Sequence, residues 1–313
     1  MFYLGSSVKD NKTTKKSCKT TMDKLALSMV FRIICFLILY GDISSQPLYE
    51  NSREDRITAK ETEFYYQNVY ERENFLENQE NSWKKKLDLC RETLPFDCKE
   101  LYMNGIRKSG VYTIYPWEKT DPDYRPIKVY CDMESEGGGW TAIQRRVNGE
   151  ETFTRNWTEY KLGFGTPYGD YWIGNEAIHQ LTTGRNSSLY VTITPMDGGV
   201  VSFKMYHQFY VFGEDQNYTL QVANPGSGSL DDRLVWNDAD FKTTGMQFST
   251  FDVDNDKYIH NCAAAHLGGW WFNRCHSAFL NGLWHSGDWR SAWYSQYLSG
   301  REVNGTSMLI KSH

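Results

Sequence analysis

Apolar positions change their rhythm several times along this chain, and each change marks a segment. Residues 25–40, LALSMVFRIICFLILY, form one apolar run behind Lys9, Lys12, Lys15, Lys16, Lys19 and Lys24. The run is shorter than the ~20 residues of a membrane-spanning helix, and Arg32 leaves only IICFLILY unbroken, the size of a signal-peptide core. Residues 1–45 therefore read as a secretory signal peptide cut after Ser45, with an uncleaved signal anchor as the alternative, and they stand outside the fold. From residue 50 to 89 the chain is polar, rich in Glu, Lys, Arg and Asn and free of Gly and Pro, which predicts a helix. Val69, Leu76, Trp83 and Cys90 recur at seven-residue intervals, but the alternate positions hold Arg72, Gln79 and Lys86. Residues 46–90 thus read as a helical stalk or weak coiled coil, since a strong one has both core positions apolar.

After Cys90, short apolar runs are cut by Gly, Asn and Asp. VYTIY (111–115), IKVY (127–130), LYVTI (189–193), VVSFKMY (200–206) and YTLQV (218–222) alternate β-branched and aromatic residues and predict strands. Helical candidates are fewer, at 157–163 and 174–182. Residues 91–313 accordingly form an α+β domain with a central antiparallel sheet. Beyond about residue 240 regular periodicity fades, and so long a loop-rich stretch in a compact domain calls for metal, disulfides or function to hold it.

The chain carries 11 Trp, 21 Tyr and 16 Phe with only 8 Pro, which excludes a disordered or collagenous protein. Its net charge of -5 is mild, and the basic residues beyond position 90 are interleaved with acidic ones, so nucleic acid is not an expected partner. The cysteines, at 18, 35, 90, 98, 131, 262 and 275, include no C-x-x-C pair, which removes the usual zinc spacing. Those beyond the apolar run suffice for two internal bridges and one spare. Sequons at Asn156, Asn186, Asn217 and Asn304 are candidate glycosylation sites and agree with secretion.

Asp252, Asp254 and Asp256 alternate with Val253 and Asn255, gathering the hard anionic oxygens that calcium takes. The run lacks the Gly and distant Glu of an EF-hand loop, and a solvated acidic turn is the other reading of these residues alone. Downstream, Trp270, Trp271, Trp284, Trp289 and Trp293 crowd together with His266, His276 and His285. Trp270 and Trp271 follow two glycines and read mainly as core. No H-E-x-x-H or comparable ligand spacing occurs, so the chain is not expected to be an enzyme.

GGGWTAIQRR (137–146), WTEYKLGFG (157–165), YWIGNEAIH (171–179), QFSTFDVDNDK (247–257), NCA (261–263), GGWWFNRCH (268–276) and LNG (280–282) together resemble the fibrinogen-like domain, in family order over most of residues 97–313. The likeness is nearest in character to ficolins, tachylectins and the fibrinogen-related lectins of invertebrates; the family also includes angiopoietins and tenascins. It implies bridges Cys98–Cys131 and Cys262–Cys275, leaving Cys90 for an interchain bond. It implies Ca2+ held by the side chains of Asp254 and Asp256 and the carbonyls of Tyr258 and His260, with Asp252 a turn or supporting residue. It also implies a loop-rich C-terminal ligand subdomain, where a cis Arg274–Cys275 peptide presents the N–H groups of Cys275 and His276 to an acetyl carbonyl beside His266. The stretch from Cys275 to Trp293 is shorter than in ficolins and lacks a Tyr-bearing wall of that pocket, for which Trp289 is the candidate substitute.

The leading functional expectation is a secreted, calcium-dependent lectin-like recognition protein, active in innate defence as a disulfide-linked homo-oligomer, that binds glycans or acetylated groups. Linked copies would raise the effective concentration of a weak site. The alternative is a protein-binding receptor ligand or matrix module of the angiopoietin or tenascin type. Fibrin-type self-assembly is a weaker third, as no knob peptide is evident near Gln46.

Overall fold

The computed structural model describes residues 59–118, 124–196, 199–284, Trp293 and 303–313. The chain divides into two compact units, residues 1–94 and 95–313. The first contributes helix α1, Ala59–Glu92. Its Glu, Lys, Gln and Arg residues are good helix formers, and the chain leaves the helix shortly before Pro95, whose ring disfavours helical backbone at the residue before it. Phe64, Tyr70, Phe75 and Leu89 on α1 are exposed, and Lys86 lies 4.6 Å over the Trp83 ring. The expected helix over 50–89 thus ends slightly later than its pattern suggests; residues 50–58 and the apolar run at 25–40 lie outside the described residues.

The second unit is built on an antiparallel sheet of nine strands. In chain order these are β1 Gly110–Ile114, β2 Ile127–Asp132, β3 Trp140–Arg146, β4 Phe164–Gly165, β5 Tyr171–Trp172, β6 Ser187–Pro195, β7 Ser202–Val211, β8 Leu220–Gly228 and β9 Val303–Ser312. Across the sheet the order is β1-β2-β3-β9-β6-β7-β8, with β5 bridging β3 and β4 at the side. Four short helices accompany it: α2 Cys98–Met103, α3 Trp157–Leu162, α4 Asn175–Thr182 and α5 Cys262–His266. The five expected strands and two expected helices are all present. Residues 200 and 201 stay outside β7, and β8 starts after Tyr218 because Asn217 and Tyr218 turn through left-handed backbone, φ 49° and 48°.

Four strands escape a reading of periodicity: β4 and β5, too short at two residues each to show one, and the longer pair β3 and β9. Both lie inside the sheet, with β9 paired to β3 on one side and β6 on the other. β3 is buried along nearly its whole length and β9 along more than half of its, and neither alternates apolar with polar residues. Several of the buried polar groups satisfy one another. Gln144 on β3 donates from Nε2 to the Leu280 carbonyl at 2.9 Å and to Thr306 Oγ1 on β9 at 3.0 Å. Asp97, the cap of α2, accepts from the Glu100 amide at 2.8 Å and from Ser312 Oγ on β9 at 2.7 Å. The Cys98–Cys131 bridge ties α2 to β2.

Below the sheet, Tyr160 of α3, Trp172, Phe248 and Trp271 form one aromatic core, with ring centroids 5.1–6.0 Å apart and mostly edge-on or tilted. Between β8 and β9 the only described helix is α5, as the loss of periodicity predicts. Gly268 and Gly269 explain how this loop-rich segment reaches the core. A Cβ on Gly268 would meet the Asn281 carbonyl oxygen at 2.3 Å, and one on Gly269 would meet the Tyr160 ring at 2.6 Å. Trp270 and Trp271, which follow, are both buried.

Candidate functional site

The acidic run sits in a loop whose other polar side chains are used to hold it. Asn255 Nδ2 donates to the Phe248 carbonyl at 2.8 Å, and its amide donates to Ser249 Oγ at 3.0 Å. Asn261 caps α5 by accepting from the Ala264 amide at 2.8 Å, while its Nδ2 donates back to the Thr250 carbonyl at 3.1 Å. Thr250 and Val253 exchange backbone hydrogen bonds. Asp252 accepts from Thr250 Oγ1 at 2.7 Å and from the Trp157 amide at 3.0 Å.

Asp254 and Asp256 are differently engaged. Asp256 accepts from the amides of Tyr258 and Cys262, both at 2.8 Å, and Asp254 accepts from the Asp256 amide at 3.3 Å. Burial holds the Asp256 carboxyl above its ordinary range, the two amide bonds oppose this, and the adjoining Asp254 carboxylate adds to it. Two carboxylates placed against each other on a fixed loop fit a cation between them, because a hard divalent ion relieves their mutual repulsion. Among the described residues no set of three or more His, Cys, Asp and Glu side chains converges to hold a metal. Calcium here would take the carboxylates of Asp254 and Asp256, with main-chain oxygens such as those of Tyr258 and His260, and water. Both of those residues are exposed, their rings 5.6 Å apart.

The loop runs directly into α5 and the Cys262–Cys275 bridge. The Arg274–Cys275 peptide is cis. Around it the chain is fixed by hydrogen bonds from the Arg274 amide to the Asp240 carbonyl, 2.9 Å, and from the Asn273 amide to the Cys275 carbonyl, 2.8 Å. His266 and His276 meet edge to face at 4.7 Å and pack against Phe272 and Phe279. His266 is buried. Burial, then the neighbouring His266, pushes the His276 imidazolium down to about 3, so its ring is neutral at physiological pH.

Arg274 leads away from this cluster, to an open cleft of about 500 Å³ lined by Asp240, Phe241, Lys257, Tyr258, Ile259 and Arg274. Its Nη1 lies 3.3 Å from Asp240 Oδ1. The cleft brings Tyr258 and Arg274 together, leaves His266 and His276 elsewhere, and adds Asp240, Phe241 and Ile259, which the sequence reading passes over. Ile259 is 83% exposed. An isoleucine amid the polar run KYIHN was the one signal for it.

Trp289 lies outside the described residues. Cys90 is disulfide-bonded. Among the sequons, Asn186 and Asn304 are exposed, Asn156 accepts the Glu159 amide as the cap of α3, and Asn217 Nδ2 donates to Gln247 Oε1 at 3.2 Å.

Fold and site together define a disulfide-stapled α+β domain with a loop-built cleft beside a pair of carboxylates. Residues 94–311 match the family described as fibrinogen beta and gamma chains, C-terminal globular domain, and the chain belongs to that family. It is 36% identical over 221 residues to angiopoietin-2 of Canis lupus familiaris, an alignment covering 69% of this chain and 42% of that protein. It is 40% identical over 199 residues to microfibril-associated glycoprotein 4 of Bos taurus, covering 62% and 74%. Among solved structures, the fibrinogen-like globe domain of human ANGPTL6 aligns with a TM-score of 0.62 at 34% identity, over 69% of this chain and 95% of that one. The lamprey fibrin D-dimer complexed with the peptide Gly-His-Arg-Pro-amide aligns at 0.61 and 25% identity, over 90% and 94%. The chain spans about two fifths of the length of the angiopoietins it matches. These relatives shift the balance from the ficolin and tachylectin character expected above toward the angiopoietin alternative.

Proposed function

We propose that this chain is an extracellular, non-catalytic recognition module whose partner is a protein, in the manner of a receptor ligand or matrix module. The cleft carries this reading. Phe241, Tyr258 and Ile259 expose apolar surface together, and Lys257, Arg274 and Asp240 supply charge around them. Exposed aromatic and aliphatic side chains with a charged rim are the chemistry of protein interfaces. His266, by contrast, is packed into an aromatic cluster and is poorly placed to wall an acetyl pocket. Calcium bound at Asp254 and Asp256 would neutralise the carboxylates next to Tyr258 and Ile259 and stiffen the rim from which they project. The relatives' names support a ligand or matrix role, and glycan or acetyl binding is the second reading.

The test is binding of labelled, secreted full-length chain to cultured cells in calcium. Trypsin treatment of the cells should remove binding, excess free N-acetylglucosamine should not compete, and Ile259→Asp should weaken binding by roughly tenfold or more, as expected for a buried interface anchor. Retention on an acetylated resin, eluted by free N-acetylglucosamine and unaffected by Ile259→Asp, would restore the lectin reading.

A further inference from the structure

We infer that the sheet face around the end of β9 carries a docking strip for a linear sulfated polysaccharide, with Lys99, Lys311, His313, His207 and Lys204 as its cations. The inference rests on the extracellular reading proposed above, and the strip shares no residue with the cleft. Its cations stand far apart in the sequence, among acidic residues, and only the fold gathers them. Lys311 on β9 pairs with Ser188 on β6, and Ser188 stands one residue before Leu189, the partner of Tyr206 on β7. Side chains alternate between faces along a strand, so Lys311, Ser188 and His207 fall on one face in a row across three strands. His313, two residues after Lys311, joins them: its amide donates to the Asn186 carbonyl at 2.8 Å, and its Nε2 lies 2.6 Å from Ser188 Oγ. At β8 the row continues. Lys204 Nζ donates to the Gly226 carbonyl at 3.0 Å, and a Cβ on Gly226 would meet His207 Nε2 at 2.5 Å. From β9 to β8 is three strand spacings, about 14 Å.

The cations are held in place, and their charges press on one another. Lys311 Nζ lies 4.4 Å over the Trp140 ring and donates to the Glu136 and Gly138 carbonyls at 3.1 and 3.2 Å. Burial, then the neighbouring Lys99, holds the Lys311 ammonium below its ordinary range, with Glu136 opposing. Burial, then Lys99, Lys311 and His207, does the same to His313. The Asp97 carboxylate is buried, where it accepts from the Glu100 amide and Ser312 Oγ. Lys99, Lys204 and Lys311 are half-buried, and His207 and His313 are exposed. Like charges fixed along a surface favour an anion laid across them. Arg185, next to Asn186, covers the Phe96 ring at 3.7 Å as Lys311 covers Trp140. Both rings are thus capped by cations, whereas protein interfaces are anchored by open aromatic side chains. A row of cations, and not a pocket, suits a linear chain with anions on successive units, and an ammonium, a compact charge with three donors, suits sulfate.

The full-length secreted chain should be titrated by calorimetry with a heparin oligosaccharide of defined length, with its desulfated counterpart and with polyglutamate. Heparin should bind with an affinity that falls as salt rises, polyglutamate more weakly, and the desulfated form not at all. Lys99→Glu and His207→Glu should each weaken heparin by roughly tenfold or more, since a like charge then faces the anion. Near-ultraviolet circular dichroism checks that both variants keep the fold. Ile259→Asp, in the cleft, should stay within about twofold of wild type, as independent sites do. Asn186→Gln is titrated beside wild type, because a glycan on that sequon would border the strip; heparin binding by neither overturns the inference. So does unchanged affinity in either charge-reversed variant, or equal loss in Ile259→Asp. Polyglutamate bound as tightly as heparin overturns it too, assigning the strip to an acidic protein segment. Recovery of the chain from the culture medium tests the extracellular reading separately, because calorimetry reports the strip whatever the compartment.

Discussion

A neutral imidazole packed between a second histidine and two phenylalanines gives this domain a built-in sensitivity to acid. His276 has its folded-state pKa depressed from 6.5 to about 3. Between those values the unfolded chain takes up a proton that the folded chain refuses, so stability is full above about 6.5 and is lost as pH falls through the window, by up to about 1.4 kcal/mol per pH unit. The unfolding midpoint should therefore drop from pH 7 toward pH 4, and His276→Gln, which takes up no proton in that range, should flatten the profile. An unchanged slope in that variant would place the acid sensitivity elsewhere. Gly269→Ala makes a second residue-scale case: its methyl group would press on the Tyr160 ring and on Phe248, and overpacking of this kind costs about 1–3 kcal/mol. Denaturant unfolding should show a lowered midpoint with an unchanged slope. Of the individual site residues, Asp254 and Asp256 stand out in the sequence through their alternation and the resemblance together, since alternating carboxylates alone also make a solvated turn. Asp240, Phe241 and Ile259 were not, because an exposed apolar residue in a loop looks the same in sequence whether or not it borders a cleft.

At the level of elements, the strands that carry runs of alternating β-branched and aromatic residues announced themselves, and the mixed runs of β3 and β9 and the two-residue β4 and β5 did not. β9 reads as VNGTSMLIKS, with Thr306 and Ser312 buried beside Met308 and Ile310; its polar residues find partners in Gln144 and Asp97, which only the fold reveals. The described part of the segment before it, up to residue 284, is irregular as its sequence suggests, and what holds it is covalent as well as packed. The Cys262–Cys275 bridge joins residues 13 apart, and the Cys98–Cys131 bridge residues 33 apart. On the loop-entropy account these contribute about 3 and about 4 kcal/mol respectively. Replacing each pair by serine in the full-length chain should lower stability by amounts in that order. The Cys262 and Cys275 replacement should also weaken calcium, because Asp256 accepts the Cys262 amide; the Cys98 and Cys131 replacement should not. Equal calcium loss in both would indicate global unfolding in place of local loosening.

For the molecule as a whole, the described residues of the second unit's apolar core run from Phe96 onward. A chain starting at residue 95 should fold with a midpoint close to that of the full-length protein, as judged by near-ultraviolet circular dichroism during a thermal scan. Among the described residues no helix is long and apolar enough to cross a membrane.

The position of β9 has a consequence for the order in which this protein can be made. The strand is translated after every other strand, yet it is the slat that joins the β1-β2-β3 side of the sheet to the β6-β7-β8 side. Until it leaves the ribosome, β3 and β6 each carry an unpaired inner edge, and Gln144 and Asp97 lack their β9 partners, Thr306 and Ser312. The domain closes only after synthesis has passed residue 312. Through that interval the nascent chain exposes two unpaired strand edges.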